Sequence, residues 1–201
     1  KLLINTCKDN KDNKIPVAAI MLGNELLSSE VLAEVLTDDA PYAKHPFLAQ
    51  IVMIKKSMEK RMSGSMLKDI SIPDADGKMH KLSDFVGKGK YVLVDFWASW
   101  CGPCCREMPN VVAAYNEYES KEFEIVGVSL DQNKDKWLGK VKELGMTWPQ
   151  LSDLKGWKCE AAALYGVQAI PSNVLFDKEG KVVATDLMGN QLQDKLQEIF
   201  K

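Results

Sequence analysis

The stretch "YVLVDFWA" at residues 91–98 constrains the fold more than any other part of the chain. It is a nearly unbroken apolar run of residues that favour strands, which is typical of a strand buried on both faces. A second run of this kind, "FEIVGVSL", occupies residues 123–130, and a helical pattern over residues 103–118 separates the two. Strands buried on both faces need helices to cover them, so the pattern predicts an α/β domain.

Two hairpins and two further helices complete this region. "LKDISI" and "KMHKL" flank a turn at Asp76-Gly77, which predicts an early β-hairpin. "NVLFD" and "KVVATDL" predict a closing hairpin, and helical patterns cover residues 134–144 and "QLQDKLQEIF" at the end. Strand-helix-strand order followed by an antiparallel hairpin predicts a mixed central sheet flanked by helices.

Residues 14 to 62 carry helix start and stop signals and no convincing strand. Pro16 and Pro46 suit first helical turns, and Ser28 or Ser29 suits a cap, so we expect three short helices. "SGS" at residues 63–65 is the one linker-like stretch. The sequence therefore predicts a small all-helical segment over residues 1–65 and a second domain over residues 66–201.

Charge and hydropathy exclude several classes of function. The 28 acidic residues nearly balance the 26 basic ones, so no basic excess is available to bind nucleic acid. No apolar run approaches the roughly 20 residues that a transmembrane helix needs. The chain starts at Lys1 without a signal peptide, and we expect a mature or trimmed chain. A lipid anchor before Lys1 is left open.

Three of the five cysteines lie within five positions, in "CGPCC" at residues 101–105. Cys101 and Cys104 follow the buried strand and begin a helix. Unpaired backbone N–H groups and the helix dipole stabilise a thiolate there, so we expect Cys101 to be an exposed nucleophile. Cys104, one turn further on, is placed to attack a mixed disulfide. Pro103 suits a first helical turn, and Gly102 allows a partner's backbone to come close.

A structural disulfide and a zinc half-site are the alternatives for this cluster. A closed zinc site needs about four ligands, and there is neither a second C-x-x-C pair nor a nearby histidine. His45 and His80 are distant in sequence. We therefore expect redox chemistry by the Cys101-Cys104 pair, with no metal and no bound cofactor. Cys105 is expected to be a small buried residue that only fills space in the core, with a regulatory or metal-binding role as the alternative. Cys7 and Cys159 are likewise expected to be buried residues without a chemical role.

Two acidic residues are candidates for moving protons. Asp95 interrupts the apolar strand, so burial is expected to raise its pKa, and it would exchange a proton with Cys104 through a bridging water. The alternative is a carboxylate turned to solvent at a sheet edge. Glu107 lies three residues after Cys104 on the same helix and either assists this proton transfer or is an ordinary surface acid.

Pro171 directly precedes a strand, where a proline removes a hydrogen-bond donor. Either a cis Ile170-Pro171 bond or a trans proline at the start of an edge strand would explain its position.

"VDFWASWCGPC" closely resembles the active-site strand and loop of thioredoxin. The matching residues are Asp95, Trp97, Trp100, Cys101, Gly102, Pro103 and Cys104. Pro109 matches the proline that kinks the family's active-site helix, and Pro171 matches its cis-proline. The early hairpin and the long gap from Cys101 to Pro171 resemble the TlpA/ResA branch, in which Glu107 also has a counterpart.

Within that branch, the chain is most similar to enzymes of Bacteroidetes in which a longer leader precedes the redox domain. Residues 1–62 resemble the helical remainder of such a leader. Cys105 stands where a basic or polar residue is usual, and Ser172 where threonine is common.

The resemblance implies a thioredoxin-like fold and a thiol-disulfide oxidoreductase that acts as a reductant in the cell envelope or periplasm. Its partners would be protein disulfides or dithiols and an upstream thiol electron donor. Substrate contacts are implied at Trp100, Gly102, Pro103, Ile170 and Pro171. A peroxiredoxin-like thiol peroxidase and a Cu(I)-binding chaperone remain alternatives.

Overall fold

A computed structural model describes residues 1–23, 29–59 and 61–201 of the chain. The α-helices are Leu2–Asp9 (α1), Ile15–Gly23 (α2), Ser29–Val35 (α3), Ala49–Glu59 (α4), Gly102–Tyr118 (α5), Lys134–Glu143 (α6), Glu160–Leu164 (α7) and Asn190–Ile199 (α8). The strands are Ser71–Pro73 (β1), Met79–Lys81 (β2), Tyr91–Trp97 (β3), Phe123–Ser129 (β4), Gln150–Leu151 (β5), Ser172–Phe176 (β6) and Val182–Thr185 (β7). These elements form two compact units, Lys1–Lys60 and Arg61–Lys201.

The first unit is built from helices α1 to α4. Apolar side chains from these helices and from the turns at Pro41–Lys44 and Pro46–Leu48 bury one another, among them Ile20, Leu32 and Leu48. The hydroxyl of Tyr42 donates to the carbonyl oxygen of Val35 at 2.6 Å, so this buried polar group is satisfied. Helix α1 was not predicted, and the predicted cap at Ser28 lies outside the described residues.

The second unit contains a five-stranded mixed sheet in the order β5-β4-β3-β6-β7. Strand β3 is parallel to β4 and antiparallel to β6, and β6 forms the closing hairpin with β7. Strands β1 and β2 form a separate antiparallel hairpin. The predicted α/β class and mixed sheet are confirmed, as is the early hairpin.

Strand β3 lies at the centre of the sheet because its side chains are apolar on both faces. Val92, Leu93 and Val94 are fully buried. The register pairs Trp97 at the end of β3 with Ser129 at the end of β4. Since parallel strands end at the same edge of a sheet, the two loops that follow them lie side by side.

The segment before β1 is bonded to the edge of the sheet. The amide of Gly64 donates to the carbonyl oxygen of Val182 at 2.8 Å, and the amide of Val182 donates to the carbonyl oxygen of Ser65 at 2.8 Å. The stretch predicted as a linker is thus hydrogen-bonded within the second unit. Among the described residues, no helix combines the length and apolar character that crossing a membrane requires.

Candidate functional site

Cys101 and Cys104 form a disulfide at the junction between β3 and α5. Cys101 is the N-cap residue of α5, and its sulfur accepts a hydrogen bond from the amide of Cys104 at 3.2 Å. Pro103 lies in the first turn, where its missing N–H costs no hydrogen bond. The Cys101 sulfur therefore lies in the positive field of a 17-residue helix, at its N-terminus.

The expectation of an exposed Cys101 is wrong for the disulfide form, since only 5% of the residue is exposed. The reason is the loop before β6, whose Ile170 carbonyl oxygen lies 3.6 Å from the Cys101 sulfur. The Ile170-Pro171 peptide bond is cis, as one of the two sequence interpretations expected. Trp100, Gly102 and Pro103 are exposed around the disulfide, whereas Ile170 and Pro171 are half-buried.

Asp95 lies in the middle of β3, paired in register with Gly127 on β4 and Asn173 on β6. It is only 4% exposed, so the interpretation as a solvent-facing edge carboxylate is wrong. Desolvation by burial, with a smaller contribution from the negative charge of Glu107, raises the pKa of Asp95 to about 7. This carboxyl group can therefore gain or lose a proton near neutral pH.

Glu107 is hydrogen-bonded to the start of α8. Its Oε1 atom accepts from the amide of Gly189, the N-cap residue of α8, at 2.7 Å and from the Asn110 side chain at 2.8 Å. The carboxylate thus joins α5 to α8 while it acts on Asp95 through its charge. A proton-relay role for Glu107 stays a prediction.

The three remaining cysteines are free thiols. Cys7 and Cys159 are buried, and burial raises the pKa of both. Cys105 is partly buried, and its sulfur lies 3.6 Å from the carbonyl oxygen of Ser99. Within the described ranges, no three side chains of His, Cys, Asp or Glu come together so as to hold a metal ion.

Asp131, which the sequence analysis left out, anchors the loop before Cys101. It is 1% exposed and accepts from the amide of Ser99 at 2.9 Å and from the hydroxyl of Ser99 at 2.6 Å. The hydroxyl of Ser129 donates to the same carboxylate at 2.7 Å. The available clue was the position of Asp131 two residues after the end of β4, at the sheet edge where β3 also ends.

Replacement of Asp131 by asparagine is expected to lower the free energy of unfolding by about 1–3 kcal/mol. The hydroxyls of Ser99 and Ser129 can reorient toward an amide, but the backbone N–H of Ser99 still needs an acceptor, and asparagine offers one oxygen in place of two. Urea unfolding of the oxidised protein measures the loss. Asp194→Asn, at an exposed position on α8, is the control. A loss no larger than in this control would contradict the anchoring role.

Arg61 is a second residue that the sequence analysis left out. Its Nη1 atom donates to the Ser172 hydroxyl at 2.9 Å and to the Asp186 carboxylate at 3.2 Å. The Ser172 hydroxyl in turn donates to Asp186 at 2.6 Å. These bonds hold the residue that directly follows Pro171. No local pattern could reveal them, because Arg61 and Ser172 are 111 positions apart in the chain.

Comparison with known proteins agrees with this geometry. The AhpC/TSA family matches residues 63–185. The thiol-disulfide oxidoreductase ResA of Bacillus thuringiensis is 34% identical over 143 residues, which cover 71% of this chain and 79% of that protein.

Two solved structures from Bacteroides are also similar. The thioredoxin domain of a thiol-disulfide oxidoreductase from Bacteroides vulgatus has 34% identity and a TM-score of 0.63, and the match covers 70% of this chain and 99% of that one. A thiol-disulfide oxidoreductase from Bacteroides fragilis has 31% identity and a TM-score of 0.62, with coverage of 69% and 99%. The chain belongs to the AhpC/TSA family and is a TlpA/ResA-like thiol-disulfide oxidoreductase of the thioredoxin superfamily.

Proposed function

We propose that the chain reduces disulfides of protein substrates in the cell envelope, through Cys101 as attacking thiol and Cys104 as resolving thiol. The observation that carries the proposal is the Cys101 sulfur at the N-cap of α5, bonded to the amide of Cys104. Such a position favours the thiolate form, which is the nucleophile in disulfide exchange. The envelope location rests on the resemblance to the TlpA/ResA branch.

The reaction proceeds in two exchanges. The Cys101 thiolate attacks one sulfur of the substrate disulfide, which breaks the S–S bond and releases the other substrate sulfur as a thiolate. The Cys104 thiol then loses its proton and attacks the Cys101 sulfur of the mixed disulfide. The second substrate thiol leaves, and the Cys101-Cys104 disulfide remains. Two electrons have passed to the substrate, and an upstream thiol donor restores the dithiol.

We assign the proton transfer to Asp95. Its pKa of about 7 means that the carboxylate is available near neutral pH to accept the proton of Cys104. Burial on β3 excludes bulk water, so the proton has few competing acceptors. Glu107 acts through its charge, which helps to raise the pKa of Asp95.

Substrate contact is assigned to residues around the disulfide. Trp100, Gly102 and Pro103 are exposed next to the disulfide in the chain, and the half-buried Ile170 and Pro171 come from the loop that lies against Cys101. The carbonyl oxygen of Ile170 is close enough to the Cys101 sulfur to meet the backbone of a bound peptide there.

Equilibration of the protein in dithiothreitol and glutathione redox buffers, followed by alkylation and mass measurement, tests the direction of electron flow. We expect a reduction potential near that of thioredoxin, about −270 mV, and reduction of insulin disulfides. Cys101→Ser is the control, because it removes the titrating pair. A potential of about −120 mV, as in a strong oxidant, would contradict the reductant role.

A further inference from the structure

Two exposed tryptophans lie next to each other beside the disulfide. Trp100 precedes Cys101 and is 55% exposed, and Trp157 in the 3₁₀ turn Gly156–Lys158 is 52% exposed. Their ring centroids are 6.4 Å apart, with the ring planes at 56°. Contiguous exposed apolar side chains mark interaction sites, and tryptophan is among the residues enriched at binding hot spots. The pair therefore points to a binding surface.

The backbone on both sides of Trp157 is held in place. Gly156 has a positive φ of 59°, and the Gln132 side chain would lie 3.0 Å from any Cβ atom added there. The amide of the buried Cys159 donates to the carbonyl oxygen of Gly156 at 2.9 Å. The exposed ring is thus presented from a fixed turn, which lowers the entropy cost of binding a partner.

A positively charged side chain lies at the start of α5, beside the residue that follows Cys101. The guanidinium of the exposed Arg106 reaches back over the first turn of α5, where its Nη1 atom would be 3.4 Å from a Cβ atom on Gly102. Arg106 has no partner among the ion pairs found in the described ranges. Trp100 precedes Cys101 and the guanidinium lies beside Gly102, which follows it, so a segment bound at Cys101 would meet an apolar ring and a cation.

We propose that Trp100, Trp157 and Arg106 form a docking surface for one kind of partner, an extended protein segment with a large apolar residue beside its reactive cysteine and an acidic residue nearby. This proposal rests on the proposed function and specifies its substrate class. Trp157 contributes contact area that the C-G-P-C loop alone lacks. Arg106 selects for the acidic residue.

The test uses two synthetic peptides that each carry one glutathionylated cysteine, one with leucine and glutamate beside the cysteine and one with alanine and lysine. The reduced protein attacks the peptide-glutathione disulfide, and the rate is compared with that for 2-hydroxyethyl disulfide. We expect the leucine-glutamate peptide to react at least about tenfold faster than the alanine-lysine peptide. Trp157→Ala is expected to lower the rate of reaction with the leucine-glutamate peptide about five- to tenfold. The rate with 2-hydroxyethyl disulfide should stay within about twofold of the wild-type rate.

Three further variants complete the design. Trp157→Phe should retain most of the rate, and Arg106→Ala should reduce the preference for the acidic peptide. Met79→Ala, which removes another exposed apolar side chain, should change neither rate. The proposal is overturned if Trp157→Ala leaves the peptide rate unchanged, or if it slows the peptide and the small disulfide equally. Failure of the proposed function itself would look different, because the wild-type protein would then reduce neither the peptides nor 2-hydroxyethyl disulfide.

Discussion

Replacement of Asp95 by asparagine is expected to stabilise the oxidised protein increasingly as the pH rises. The pKa of Asp95 is raised from 3.8 to about 7 in the folded state. Between these values the unfolded chain has released the proton while the folded protein still holds it, so the free energy of unfolding of the wild type falls as pH rises. The difference of roughly 3 pH units corresponds to roughly 4 kcal/mol, present in full above about pH 7 and absent below about pH 4.

Urea unfolding of the two proteins at about pH 4.5 and about pH 8 measures this effect. The stability of Asp95→Asn relative to the wild type should rise between the two conditions, because asparagine does not titrate. A constant offset from burying an amide cancels in the comparison. Asp194→Asn, at an exposed position, should show no such rise. An equal stability difference for Asp95→Asn at both pH values would show that Asp95 has an ordinary pKa.

Replacement of Cys104 by serine is expected to stop turnover and to leave substrate attached to Cys101. Without the neighbouring thiol, the mixed disulfide is released only by thiols from solution. A well-oriented intramolecular group has an effective concentration far above theirs, so insulin reduction should fall on the order of 10³-fold. Mass spectrometry of the trapped adduct should place the bond at Cys101.

Cys105→Ser is the matched control for this variant, since it removes the adjacent free thiol. Its turnover should stay within about twofold of the wild type, because the Cys105 sulfur lies against the Ser99 carbonyl group rather than in the disulfide. Adducts at Cys105, or normal turnover by Cys104→Ser, would refute the assignment of the resolving thiol.

Much of the fold and part of the site follow from local sequence pattern. The apolar runs of β3 and β4 indicate central strands, and Asp76-Gly77 indicates the hairpin. The burial of Asp95 follows from its apolar neighbours. In each case a short stretch of sequence carries enough hydrophobic pattern or turn chemistry to specify the local structure.

The features that the sequence did not reveal depend on contacts between distant segments. The bonds of Asp131 to Ser99 require the register of β3 against β4, and the bond of Arg61 to Ser172 joins residues 111 positions apart in the chain. Strand β5 has two residues, too few for an alternating pattern. Cys101 was expected to be exposed, but the loop that carries Ile170 covers it from a segment 69 positions later. Tertiary structure decides such contacts.

Helix α5 is expected to hold the Cys101 thiol ionised near neutral pH in the reduced protein, and the whole exchange mechanism depends on this. The direct measurement is the pH dependence of Cys101 alkylation by iodoacetamide, located by peptide mass so that the other cysteines do not contribute. We expect a midpoint at least about one pH unit below the value of free cysteine, which is about 8.5. A midpoint at or above that value would contradict it.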